Sequence, residues 1–133
     1  MRTFNFAIRI FCTACLATAL VACKADRTPQ MPKKVRLAKV VVDSTQLENY
    51  KAFLKEEIEA SVSKEPGVLT LYAVFEKEKP THLTILEIYA TEAAYQSHLK
   101  TTHFLKYKNG TMNMVKNLEL IETDPLIPAL KIK

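Results

Sequence analysis

The chain has 133 residues, of which 25% are charged, and its formal net charge is +5 at pH 7. This modest basic excess is spread along the sequence, which gives little support to nucleic-acid binding. Because only two glycines occur, a glycine-rich phosphate loop is excluded, and the length allows one small domain.

The first 22 residues have the features of an export signal. Arg2 and Arg9 are the charged residues of this segment, and it contains no acidic residue. Residues 10–22 are almost wholly apolar, and such a run is shorter than the roughly 20 residues that span a bilayer. We therefore expect residues 1–22 to be a signal peptide that is removed on export.

The end of this segment resembles a bacterial lipobox, with the sequence LVAC at residues 20–23. The resemblance implies cleavage before Cys23, lipidation of that cysteine and anchoring on the periplasmic side of a membrane. Lys24 follows, and the lack of an aspartate there favours the outer membrane in a Gram-negative host. The alternative is an ordinary secretory signal. Cys12 and Cys15 are lost with the signal, so no disulfide is expected.

Three segments follow the predicted signal. Residues 23–34 are polar, include two prolines and are predicted to be the lipidated cysteine and a spacer. Residues 35–124 are predicted to form the folded domain, and residues 125–133 a C-terminal tail that could add a short edge strand at 130–133.

The domain alternates between strand-like and helix-like patterns. Residues 45–64 carry apolar side chains at spacings of three, four and seven, which predicts an amphipathic helix. Asp43, Ser44 and Thr45 are its candidate N-cap residues, and Glu48 follows Thr45 at the spacing of a capping box. A turn at 79–81 joins two runs of β-branched and aromatic residues, which predicts a hairpin. The predicted strands are 35–43, 68–78, 82–90 and 117–123, and the predicted helices are 45–64, 91–100 and 103–116.

The order β-α-β-β-α-β predicts a ferredoxin-like α+β sandwich, in which helices cover one face of the sheet. In the second strand, Leu71 and Ala73 alternate with Tyr72 and Val74, so neither face is polar. A sheet that is apolar on both sides in so small a chain indicates a partner subunit. We therefore predict a homodimer that packs sheet against sheet.

Four short motifs occur in the second half of the domain. They are Glu65-Pro66-Gly67-Val68, Leu86-Glu87-Ile88-Tyr89, Glu92-Ala93-Ala94-Tyr95-Gln96-Ser97-His98 and Thr102-His103-Phe104. Together they resemble the antibiotic biosynthesis monooxygenase (ABM) domain family of dimeric α/β-barrels, which includes quinol monooxygenases. The resemblance implies oxidation of quinols or polyketide phenols by molecular oxygen with no metal or flavin cofactor. Other members cleave haem, and several have no established reaction.

Two residues are predicted to be catalytic. Glu87 shares a strand face with Leu83 and Ile85, so its carboxyl must be paired or protonated there. It is predicted to orient a histidine or the substrate, or alternatively to anchor a loop or the dimer. His98, near a helix end, is predicted to accept the proton of a phenol, or alternatively to cap the helix.

Aromatic residues are predicted to line the substrate pocket. The predicted substrate-binding residues are Tyr72, Tyr89, His103 and Phe104, with Tyr95 beside them, although each alone also suits core packing. His103 alternatively hydrogen-bonds at the helix break. His82 is predicted to be exposed, and three dispersed histidines do not have a metal-ligand spacing.

The sequence departs from the family pattern at two places that bear on the reaction and the substrate. The haem-cleaving members carry tryptophan near position 98 and an axial histidine at the position of Lys108, which argues against haem cleavage. Tyr89 replaces the tryptophan of many quinol-oxidising members, which leaves the substrate open. The sequence thus predicts cofactor-independent oxidation of a quinol or related phenol. The alternatives are a non-catalytic lipid-anchored module that binds a small ligand and a stress-related dimeric module.

Overall fold

The computed structural model describes residues 34–127. The predicted signal, the lipidation site at Cys23, nearly all of the spacer and the edge strand at 130–133 lie outside these residues. The strands are β1 (Lys34–Val42), β2 (Val68–Phe75), β3 (His82–Tyr89) and β4 (Val115–Thr123), and the helices are α1 (Leu47–Lys64), α2 (Glu92–His98) and α3 (Thr102–Thr111).

The four strands form one antiparallel sheet in the order β2-β3-β1-β4. This order places β1 at the centre, where its valine-rich sequence is covered on both sides by neighbouring strands. The prediction of a ferredoxin-like α+β fold is confirmed, and so are the two separate helices that follow β3.

The core lies between α1 and the sheet. Tyr50 and Leu54 point from α1 onto Ala38, Val40 and Ile85, and all five are buried. Burial of a side chain the size of leucine stabilises the fold by about 1.5–3 kcal/mol.

A tyrosine pair joins α1 to α3. The hydroxyls of Tyr50 and Tyr107 lie 2.7 Å apart. Burial raises the pKa of Tyr50 to about 12, so both hydroxyls stay protonated at neutral pH.

Two helix boundaries are now defined. Of the three candidate N-cap residues, Asp43 is the cap, because its carboxylate accepts hydrogen bonds from the Thr45 backbone N–H and hydroxyl and begins a short 3-10 turn, Ser44–Gln46. The third helix ends at Thr111 rather than at 116, since Met114 N–H bonds to the Thr111 carbonyl and the Met114 carbonyl accepts from Asp43 N–H.

The face of the sheet that points away from the helices carries an apolar patch, beside which Lys39 and Glu119 lie on the same face. Tyr72 and Val74 of β2 pair with Leu86 and Thr84 of β3, and Leu86 in turn pairs with Leu37 of β1. Tyr72 is 65% exposed and Val74 is 48% exposed. We call this the open face.

No helix within residues 34–127 is both long and apolar enough to cross a membrane.

Candidate active site

A cavity of about 550 Å³ lies between the sheet and the helices, with Ala38 and Ile85 among its walls. Leu118 and Leu120 of β4 point to the same side of the sheet as these residues, yet both are half exposed. The helices therefore leave β4 uncovered, and the cavity opens there through an apolar mouth. Its volume is that of sites that take small organic molecules.

His98 is the last residue of α2 and lies in the cavity wall, only 2% exposed. The helix begins at Thr91, whose hydroxyl accepts a hydrogen bond from Ala94 N–H. Gly67 lets α2 approach the start of β2, because a Cβ there would lie 2.5 Å from the Cβ of Ala94. This close approach carries His98 to the end of α1, where Glu65 lies.

Glu65 holds the imidazole of His98 in place. Its Oε1 lies 3.0 Å from Nδ1 of His98 and also contacts Nε2 of His103. Burial alone would raise the pKa of Glu65, but the hydrogen bonds from the two histidines outweigh burial and lower it. An ionised carboxylate only accepts hydrogen bonds, so we assign a proton to Nδ1 of His98 and a proton to Nε2 of His103.

A second carboxyl, that of Glu57, lies on the other side of the His98 ring. Its Oε1 is 3.5 Å from Nε2 of His98 and accepts a hydrogen bond of 2.8 Å from Ser61 Oγ. Burial raises the pKa of Glu57, opposed by the Ser61 hydrogen bond and the neighbouring His98. His98 thus lies between one carboxyl that favours ionisation and one that burial pushes toward the neutral form.

The pH dependence of stability should reveal the buried Glu57. The folded state binds its proton more tightly than the unfolded chain does, so this stabilisation is complete below pH 4.5, the ordinary pKa, and is lost as pH rises through the raised pKa. Glu57→Gln, which stays neutral, should therefore raise the Tm by a few degrees at mildly alkaline pH and less below the ordinary pKa. Thermal unfolding at both pH values measures this. The exposed control Glu78→Gln, in the turn between β2 and β3, should show no such trend. Equal Tm shifts for Glu57→Gln at both pH values would refute a raised pKa of Glu57.

Two histidines and a carboxylate are a common ligand set for transition metals. Sequence spacing argued against a metal site, yet the fold gathers Glu65, His98 and His103 so that their ligand atoms lie within 4.8 Å of one another. Glu65 Oε1 is in direct contact with both rings, and the three atoms would have to rearrange to surround an ion. The arrangement as it stands is a carboxylate bridge between two imidazoles.

Glu87 belongs to a different cluster, which lies at the end of the cavity near β1. The Tyr89 hydroxyl donates to Glu87 Oε2 over 3.2 Å, and Nε of Arg36 lies 3.0 Å from the same oxygen. Nη1 of Arg36 donates to the Tyr95 hydroxyl over 2.6 Å. Burial raises the pKa of Glu87, although Arg36 opposes the shift. Among residues 34–127 no hydrogen bond or ion pair joins Glu87 to His98, and Glu65 makes the contact with this histidine that was predicted for Glu87. Contact of Glu87 with the substrate stays a prediction.

The structure brings most of the predicted site residues together. His98, Glu87, Tyr89, Tyr95 and Phe104 all line the cavity. The rings of Tyr89 and Phe104 pack on that of His98, with centroids 5.4 and 4.8 Å away.

Two predicted substrate-binding residues lie elsewhere. Tyr72 is on the open face, on the opposite side of the sheet, because strand residues alternate between faces and Leu71 takes the inner side. His103 contacts Glu65 instead of lining the cavity.

Three polar residues of the site were not predicted. Arg36 shares the inner face of β1 with Ala38 and Val40, so strand alternation was a signal that could have found it. Glu57 follows Leu54 on the buried face of α1, so helical spacing could have found it. Glu65 was noted only as part of the Glu65-Pro66-Gly67-Val68 motif, and no role in the site was predicted for it.

The fold and this cavity define a ferredoxin-like protein with an internal cavity of small-molecule size. The chain belongs to the antibiotic biosynthesis monooxygenase family, whose sequence profile matches residues 35–110. Proteins of this family are often dimeric and bind small ligands.

Solved structures agree with this assignment. A candidate antibiotic biosynthesis monooxygenase from Bacteroides thetaiotaomicron is 63% identical, with a TM-score of 0.74, over 75% of this chain and 95% of that one. A candidate monooxygenase from Lactobacillus acidophilus is 29% identical, with a TM-score of 0.65, over 69% of this chain and 46% of that one. One from Nitrosomonas europaea is 20% identical, with a TM-score of 0.66, over 70% of this chain and 98% of that one, and supports the fold alone. A comparison with curated proteins gives no match.

Proposed function

We propose that this protein is a monooxygenase that oxidises a quinol or related phenol with molecular oxygen and needs no metal or flavin. The observation that carries the proposal is the position of His98, buried in the wall of an open, aromatic-lined cavity and held by Glu65. Oxygen uptake with a panel of hydroquinones and polycyclic phenols tests it, and the uptake should be lost in His98→Ala.

The first step is removal of the phenol proton. Because Nδ1 of His98 donates to Glu65, the lone pair is on Nε2, which can accept the proton of a hydroxyl in the cavity. This proton transfer turns His98 into an imidazolium. The Glu57 carboxyl lies 3.5 Å from Nε2 and stabilises the imidazolium when Glu57 is ionised. The aromatic rings of Tyr89 and Phe104 pack against the His98 ring and would shield it from water.

The second step uses the electron-rich phenolate. It gives one electron to oxygen, and the resulting radical pair combines so that a C–O bond forms at a ring carbon that carries hydrogen. The hydroperoxide then breaks its O–O bond, one oxygen atom stays on the ring as a quinone carbonyl, and the other leaves as water. The ring carbon loses its proton, and His98 returns a proton to the leaving oxygen. A phenol and O₂ thus give a quinone and water with no external reductant.

We also propose that Cys23 carries lipid and tethers the domain to a membrane on the periplasmic side, with the outer membrane favoured. The lipobox-like sequence at residues 20–23 supports this. Several acyl chains on one cysteine would hold the protein firmly, whereas a single chain binds only marginally. Such a tether would bring the apolar mouth of the cavity close to lipophilic quinols.

Replacement of the cysteine tests the tether. Cys23→Ala should release the protein from the membrane fraction or leave it unprocessed, because the acyl acceptor is gone. Cell fractionation with immunoblotting measures the effect, and Cys12→Ala serves as the control that should stay membrane-bound. A Cys23→Ala protein that is processed and membrane-bound like the parent would disprove lipidation.

We further propose that the protein is a homodimer in which two open faces pack against each other. Leu37, Tyr72, Val74 and Leu86 supply an apolar surface that the chain's own helices do not cover. The cavity lies on the other side of the sheet, so the dimer would leave both mouths accessible.

A further inference from the structure

Arg36 is the least expected residue of the cavity wall. It lies on the central strand β1, on the same face as Ala38 and Val40, and its side chain is only 7% exposed. A buried charge is costly unless it is both paired and hydrogen-bonded.

The hydrogen bonds of this guanidinium are incomplete. It carries five N–H groups, of which one donates to the Tyr95 hydroxyl over 2.6 Å. Nε lies 3.0 Å from Glu87 Oε2, but the N–H is not aligned with this oxygen, and Nε is a buried donor without a hydrogen-bond partner in the described part of the chain. Glu122, 3.9 Å from Nη1, lies beyond hydrogen-bond distance.

The carboxyl beside Arg36 is shared with another donor. Burial raises the pKa of Glu87, and Arg36 beside it opposes this shift. The Tyr89 hydroxyl also donates to the oxygen of Glu87 that faces Arg36. An anionic oxygen from a bound molecule would compete well for the donors of Arg36.

We propose that Arg36 is the anion-binding residue of the cavity, and that the aromatic ligand carries a carboxylate that accepts hydrogen bonds from the guanidinium. Planar guanidinium and carboxylate groups match in a two-point contact, which a neutral substituent does not reproduce. The aromatic part of this ligand rests on the proposed oxidation of a phenol. The anion site itself depends only on Arg36, Glu87 and the cavity.

Binding of a matched pair of ligands tests the site. 2-Naphthoate and 2-naphthamide have nearly the same shape, and only the first is an anion. The parent protein should bind 2-naphthoate about tenfold more tightly at neutral pH, as expected for a charge-assisted contact. Isothermal titration calorimetry measures both affinities.

Three variants test whether Arg36 causes the preference for 2-naphthoate over 2-naphthamide. Arg36→Gln should bind both ligands equally, and so should Arg36→Gln combined with Glu87→Gln, which leaves no unpaired carboxylate in the core. Lys108→Gln, at another lining position that is exposed, should keep the preference. A preference that survives in both Arg36 variants, or that disappears in Lys108→Gln, would overturn the proposal.

Glu87→Gln separates an anion site from a structural ion pair. Removal of the competing carboxylate should strengthen 2-naphthoate binding by about threefold or more and leave 2-naphthamide unchanged. Weaker 2-naphthoate binding in this variant would contradict the proposal. Because the assay needs no oxygen chemistry, an Arg36-dependent preference in a protein without oxygen uptake would keep the anion site and reject the monooxygenase. Oxygen uptake without an Arg36-dependent preference would keep the monooxygenase and reject the anion site.

Discussion

His98→Ala should lower the rate of oxygen uptake with a phenolic substrate by about 10²–10⁴-fold, the usual contribution of a positioned general base. The variant removes the Nε2 acceptor and leaves the aromatic walls in place. Added imidazole should restore part of the rate, because it can occupy the space left by the missing ring and accept the same proton.

The control for this variant is His82→Ala, at the start of β3 and outside the cavity lining. It should keep the parent rate. Circular dichroism shows whether His98→Ala is folded. A folded variant with most of the parent rate would show that another group removes the proton.

Val74→Asp should convert the dimer to a monomer. Val74 lies on the open face and is 48% exposed in the single chain, so the substitution leaves the fold intact but would bury two carboxylates in the dimer interface. Size-exclusion chromatography with light scattering should give the mass of one chain for the variant and twice that mass for the parent.

Val62→Asp is the matched control. Val62 lies on α1 and is 51% exposed, so the same substitution is made at equal exposure on a different surface. It should remain dimeric. A monomeric parent would rule out the proposed dimer, and a dimer that survives Val74→Asp would place the interface elsewhere.

Local periodicity explains why the fold was predictable. The apolar spacing on α1 and the β-branched runs of β2 and β3 identify helix and hairpin without tertiary information. The end of α3 was not predictable, because it depends on the contact between Met114 and Asp43, which belong to opposite ends of the domain. Asp43, Ser44 and Thr45 were all candidate caps, and the sequence alone did not choose among them because all three residue types favour this position.

Only part of the candidate site was predictable from the sequence, and its side-chain pairings were not. His98 and Glu87 were identified from their chemistry, and both line the cavity. The partner of His98 is nevertheless Glu65, 33 positions earlier, a pairing that only the packing of α2 against the start of β2 creates. Arg36 was missed because β1 was interpreted as a valine-rich strand and its single inward charge was not followed.

The most direct test of a metal-free oxygenase site in the cavity is oxygen uptake in the presence of a chelator. It compares the parent protein with a variant whose cavity is blocked. Leu120→Trp should fill the mouth, where Leu120 is half exposed, and Leu126→Trp is the control at an almost fully exposed position. We predict saturable uptake with a hydroquinone by the parent and by Leu126→Trp, and its loss in Leu120→Trp. No uptake above the spontaneous rate, or uptake that Leu120→Trp does not change, would contradict an oxygenase site in this cavity and favour a binding module.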